Sequence, residues 1–185
     1  VMDWNGAWLS STYAAEDLVG QDLNADGFIG VDVSTLEFVA TDLAQPGATA
    51  LLKTDAEGGL YVVDSDADTT AQRISDAWGG TPSFNYNYEY GTEGSGYYYA
   101  NSAEAYAIEG NSVTGYKLAV KYSNSWNYST DAGATQDSVS WAVYTVDGQG
   151  VMDWNGAWLS STYAAEDLVG QDLNADGFIG VDVST

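Results

Sequence analysis

The chain has 185 residues, of which 45% are hydrophobic and 14% aromatic, so it holds enough apolar matter to bury the core of one domain and more. Its 27 acidic residues against 4 basic ones leave a net charge of −23, which repels nucleic-acid backbones and anionic membranes and favours cationic partners, calcium first. No cysteine, no histidine and no apolar run of the ~20 residues a membrane span needs are present, which excludes disulfides, thiolate and imidazole metal sites and the usual general base, and leaves hard oxygen chemistry.

The chain opens at Val1 in mid-pattern, with neither a signal peptide nor an initiator methionine, as expected of an excerpt from something longer. Residues 1–35 and 151–185 both read VMDWNGAWLSSTYAAEDLVGQDLNADGFIGVDVST, identical at 35 of 35 positions with an offset of 150. Internal identity at a fixed period marks an array of structural units. Residues 36–185 then make one full repeat, and residues 1–35 are the tail of the preceding one, a helix plus a calcium loop. Two readings follow: a single polypeptide repeating every 150 residues, or identical subunits joined head to tail with overlapping ends. Both predict a filament or stalk, since a head-to-tail contact that does not close on itself propagates. The plainer alternative is an artificial duplication of one terminal segment. One period carries 21 acids against 4 bases, a charge of −17, so an array of such units repels itself unless cations bind it.

The first predicted element is a helix over Thr12–Val19, and a loop follows it directly. Asp22, Asn24 and Asp26 stand at loop positions 1, 3 and 5, Gly27 takes the sharp turn at 6, and Phe28 offers its backbone carbonyl at 7, with Ile29 expected to anchor the loop in apolar surroundings. This is the front half of an EF-hand-type loop for Ca2+. The bidentate Glu of position 12 is replaced by Val33, so another oxygen must finish the coordination. The candidates are Asp32, after a shift of register, and Glu16, six residues before Asp22. For Glu16 and Asp17 a solvated helix face is the alternative. The second copy repeats the set as Asp172, Asn174, Asp176 and Phe178, with Asp182 and Glu166 as its completing candidates.

The stretch 36–150 is rich in Tyr, Trp, Val, Thr and Gly with frequent turn signals, the signature of short antiparallel strands. Strands are predicted over 50–52, 59–64, 83–90, 97–101, 105–109, 115–124 and 137–147, giving a mainly β fold, an antiparallel sheet or sandwich with a short helix and a calcium loop at the inter-repeat junction. Between them, Asp64, Asp66 and Asp68 alternate like a second ion loop but lack its Gly, and a solvated loop is the competing reading. Phe84, Tyr86, Tyr88 and Tyr90 share one strand face, which either packs on its own sheet or offers a surface for carbohydrate stacking or self-association. Trp78, Trp126, Trp141 and the repeated Trp4 and Trp8 are expected to close a small β core. Asn127-Tyr128-Ser129 fits an N-glycosylation acceptor.

Residues 59–63 (GLYVV), 115–121 (GYKLAVK), 141–145 (WAVYT) and 150–154 (GVMDW), followed by Glu166 and then 171–180 (QDLNADGFIG), together resemble the tryptophan-rich C-terminal domain first noticed in cyanobacterial proteins. The loop by itself is similar to those of dockerin-like domains. The resemblance implies a bacterial, extracellular, calcium-associated module occurring in tandem in large secreted or surface proteins. It includes a Glu at the position of Glu16 and Glu166 and supplies no enzymatic activity. The expected function is therefore a structural fibre or stalk at the cell surface, self-associating head to tail. A carbohydrate-binding or adhesive module is the alternative, with glycans as partners. No motif singles out a carboxylate pair for glycoside hydrolysis, so no enzyme is expected.

Overall fold

The computed structural model describes residues 12–25, 27–39, 48–63, 71–84, 86–92, 97–128 and 135–181. Two antiparallel sheets dominate. The smaller runs in the order β1 (Glu37–Phe38), β2 (Leu51–Thr54), β3 (Leu60–Val63) and β4 (Gln72–Arg73). The larger is a meander of β5 (Tyr86–Tyr90), β6 (Tyr98–Asn111), β7 (Gly115–Asn127), β8 (Gln136–Val146) and β9 (Met152–Leu159). Two eight-residue helices, α1 (Thr12–Val19) and α2 (Thr162–Val169), carry the two copies of the repeated segment, and a 3-10 turn at Val33–Thr35 leads from the first copy into β1. No helix among the described residues is long and apolar enough to cross a membrane.

Side chains alternate across a strand, and β8 uses both of its faces. Ala142, Tyr144 and Val146 point to the small sheet, where with Leu118, Val120, Ile108 and Met152 they meet Leu52, Leu60, Val62 and Ile74. Trp141 and Val143 point the other way and, with Ala107 and Ala119, bury Ala165, Val169 and Leu173 of the second copy. The order of layers is thus small sheet, large sheet, helix.

Three tight turns share one device. Asp55, Asp76 and Asp147 each accept backbone N–H bonds from the residues two and four places on, at 2.8–2.9 Å. The third residue on is Gly58, Gly79 or Gly150, each in the left-handed region at φ 82°. A short acidic side chain mimics a turn of backbone while glycine adopts the φ that other residues resist. These acids are spent on chain reversal.

Several expectations change. The segments 97–101 and 105–109 are one strand, β6, broken only by a bulge between Ala105 and Ala107. The strand expected from residue 83 starts at Tyr86, because Phe84 turns into the core against Tyr144. Tyr88 and Tyr90 stay exposed on this edge strand, Tyr88 lying against Tyr99 of the neighbouring strand. Trp141 does close the core, whereas Trp78 is exposed. Asn127 is 2% exposed at the end of β7, which leaves no access for a glycan. Most consequentially, 152–159 is not part of a helix-and-loop tail but the fifth strand, β9. Gly156 is its weak point by propensity, yet a Cβ there would come within 2.7 Å of the Tyr144 ring, so only glycine lets the ring pack. Trp4 and Trp8, and Asp64, Asp66 and Asp68, lie outside the described residues.

Candidate metal centre

The second copy shows how the loop is built. α2 ends at Gly170, in the left-handed conformation at φ 88°, whose N–H returns to the Glu166 carbonyl at 2.7 Å. Ala175 (φ 60°) and Gly177 (φ 92°) bend the following chain into a tight coil. Within it Asp172 accepts N–H bonds from Gly177 at 2.8 Å and Asp176 at 3.3 Å. Asn174 Oδ1 accepts the Asp176 N–H at 2.9 Å, and Asp176 accepts that of Phe178 at 2.9 Å. Asp172, Asn174, Asp176 and the Phe178 backbone are therefore wound around one short turn, with Asn174 and Asp176 open to solvent.

Beneath the coil lies Glu166, which is fully buried. One carboxylate oxygen accepts the N–H groups of Leu173 (3.1 Å) and Asn174 (3.2 Å), and the other that of Gly180 (3.1 Å). A single side chain on the helix thus pins both ends of the loop. Burial pushes its carboxyl above the ordinary glutamate range, against the pull of the three N–H donors, and the nearby charge of Asp176 adds to the rise. The sequence signal for burial at this position is the helix face. Ala165, Glu166 and Val169 share one helix face, and an ionisable group in an apolar stripe needs buried partners.

The first copy repeats the device. Glu16, also fully buried, accepts N–H bonds from Leu23 (2.9 Å), Asn24 (3.0 Å) and Gly30 (3.2 Å). Asp22 accepts those of Ala25 (2.6 Å) and Gly27 (3.0 Å). Asp32 caps the 3-10 turn through the Ser34 N–H at 2.9 Å. Asp26 and Asp182 lie outside the described residues. Ile29 and Ile179, expected to anchor the loop among apolar neighbours, are exposed at 58% and 56%, because it is the glutamate and not the isoleucine that ties the loop down.

Among the described residues no three acidic side chains converge as a ready metal cluster. The side-chain oxygens of Asp172, Asn174 and Asp176, which share this turn, are hard donors, the chemistry that suits calcium and not a softer ion. Both oxygens of Glu16 and of Glu166 are engaged on backbone N–H groups, so each glutamate serves the backbone of its loop. The chain matches no known protein family, no characterised protein and no solved structure.

The docking of the second copy rests on contacts that periodicity did not single out. Trp141 Nε1 donates to Thr162 Oγ1 (3.1 Å), and the Tyr106 hydroxyl donates to the Leu173 carbonyl (3.2 Å). Lys117 Nζ donates to the Leu168 carbonyl (2.6 Å), a cation at the negative end of α2. Gln171 Nε2 donates to the Ile108 carbonyl (2.7 Å) and to Glu109 (3.0 Å). Their partners are 21 to 67 residues away along the chain, beyond any local pattern.

Proposed function

We propose that the chain is a structural unit of an extracellular array, a fibre or surface stalk, whose repeated helix-and-loop segment is stabilised by calcium. The observation that carries this reading is the loop's double occurrence. The same glutamate-pinned coil forms in both copies although their surroundings differ, so the sequence builds an oxygen-lined turn by local means alone. Asp172, Asn174, Asp176 and the Phe178 carbonyl would hold the ion, with Asp22, Asn24, Asp26 and Phe28 doing so in the first copy. Water is the natural source of the remaining oxygens, given that Glu166 and Glu16 are taken up by the backbone.

The ion would neutralise carboxylates that otherwise repel one another within a period of charge −17. Binding to the folded loop alone stabilises it by mass action, by about 2.7 kcal/mol per site at a hundredfold excess over Kd. In millimolar calcium the chain should therefore melt several degrees above its temperature in excess EDTA, and the paired change Asp22→Ala and Asp172→Ala should abolish the difference. Identical melting of the parent chain with and without calcium would sink the reading.

A second reading, a carbohydrate-binding or adhesive surface, is supported by an open groove of about 930 Å3 whose lining includes Trp154, Glu109, Asp153 and Lys117. Half-exposed Trp154 and exposed Trp158 stand along β9, with Tyr88 and Tyr90 exposed on the opposite edge. A glycan array probed with the whole chain tests it, and the absence of any bound sugar counts against it.

A further inference from the structure

The two copies of the repeated segment share sequence, helix and pinned loop, but not surroundings. In the second copy Val169 is 3% and Leu173 5% exposed, whereas in the first Val19 is 54% and Leu23 52% exposed. Gln171 is buried, and Gln21 lies open. Glu16 and Glu166 are fully buried alike, so the first copy is locally folded, and what it lacks is a cover for one apolar face. Among the described residues α2 packs against β7, β8 and β9, and α1 has no comparable packing on a sheet.

We propose that residues 1–35 complete a second copy of this fold: they seat on β8 and β7 of another body equivalent to residues 36–150, as the described part of the second copy, residues 151–181, does here. This deepens the reading of the chain as an array unit and rests on it. Identity at 35 of 35 positions means that any surface accepting residues 151–185 accepts residues 1–35 through the same contacts. Thr12, the carbonyls of Leu18 and Leu23, and Gln21 correspond to the groups that Trp141, Tyr106, Lys117 and the Ile108 carbonyl hold in the second copy. Val19 and Leu23 would fill the apolar seat of Val169 and Leu173. Residues 2–9 have the sequence of β9, the strand that covers β8; without it β8 would be an unpaired edge of eleven residues, a template for an incoming strand. Exchange of identical elements between chains needs no new contact, and a donor on one chain seated in the body of the next is a head-to-tail contact that propagates. Within one chain the tethered second copy has the advantage of effective concentration, so weakening it opens the seat to a neighbour's first copy.

The absence of native cysteine makes an introduced pair a clean reporter. Thr145 stands opposite Asp153 in the β8–β9 ladder, and Asp3 is the first-copy equivalent of Asp153. The full chain carrying Asp3→Cys and Thr145→Cys is oxidised at high protein concentration, both alone and with Val169→Asp and Leu173→Asp added to loosen the second copy. We expect a reductant-sensitive ladder of dimers and higher species, stronger in the loosened chain. It should fall at least tenfold when Val19→Asp and Leu23→Asp are added. No ladder in either chain, a disulfide closed within one chain, or a ladder indifferent to Val19→Asp and Leu23→Asp would each overturn the proposal. Running every arm in calcium and in EDTA separates the two claims. A ladder in EDTA keeps strand donation and removes the need for calcium, while calcium-dependent melting without a ladder keeps the ion and removes the donation.

Discussion

Leucine at the same place in two identical segments provides an internally controlled test of the docking geometry. Leu173 is nearly fully buried among Ala107, Ala119, Trp141 and Val143, whereas Leu23 is half-exposed. Truncating a buried leucine to alanine loses its transfer energy and leaves a partly uncollapsed cavity, together about 3 kcal/mol for a well-packed site. A half-exposed leucine of a surface element costs within about 0.5 kcal/mol. Helix and turn propensities around the two positions are identical, and so are their local effects on the unfolded chain, so the difference isolates tertiary docking. For a chain of this size about 1 kcal/mol moves Tm by about 2–4 °C. Leu173→Ala should therefore lower Tm by about 6–12 °C in dilute solution and Leu23→Ala by about 2 °C or less, read by circular dichroism or calorimetry. Raising the protein concentration should bring the cost of Leu23→Ala toward that of Leu173→Ala as first copies find seats on neighbouring chains. Equal losses in dilute solution would refute the assignment of one docked and one open copy.

Two further outcomes follow from the pins and the sheet. Glu166→Ala leaves the buried N–H groups of Leu173 and Gly180 without acceptors while relieving a buried charge, a net loss of about 2 kcal/mol. This loss should be present in EDTA; a loss seen only with calcium would make Glu166 a ligand and not a pin. Because burial raises its carboxyl, the stability Glu166 contributes is complete below the ordinary glutamate range and declines as pH rises through the raised value. The gap in Tm between parent and Glu166→Ala should therefore narrow across that window, and a gap that widens with pH contradicts the sign. Gly156→Ala drives a methyl against the Tyr144 ring and should cost about 1–3 kcal/mol, measured by denaturant unfolding; a neutral outcome would show that the ring has room to move.

What was legible in the sequence was what contacts within about twenty residues decide. The helix Thr12–Val19 and its twin Thr162–Val169 stand where the pattern put them, and the coil after each forms with the same glycine turns, the same three N–H groups on the helix glutamate and the same glycine N–H on the first aspartate. The two copies occupy different surroundings and still fold alike, which is direct evidence that this part is local. The β-rich body was legible too, through period-two alternation and turn residues, although the bulge that joins 97–101 to 105–109 and the glycine inside β9 blurred the strand boundaries. The role of the helix-bound glutamate was not, because a carboxylate six residues before an ion loop reads as a ligand until the N–H groups it satisfies are seen. Nor could 35 identical residues reveal that one copy would be buried and the other open. That difference is made by Trp141, Val143, Tyr106 and Lys117, which lie 21 to 67 residues from the groups they hold. Sequence alone determined the helix and the coil that follows it; the tertiary structure decided which copy had a sheet to lie against, because burial belongs to the assembled surface and not to the segment.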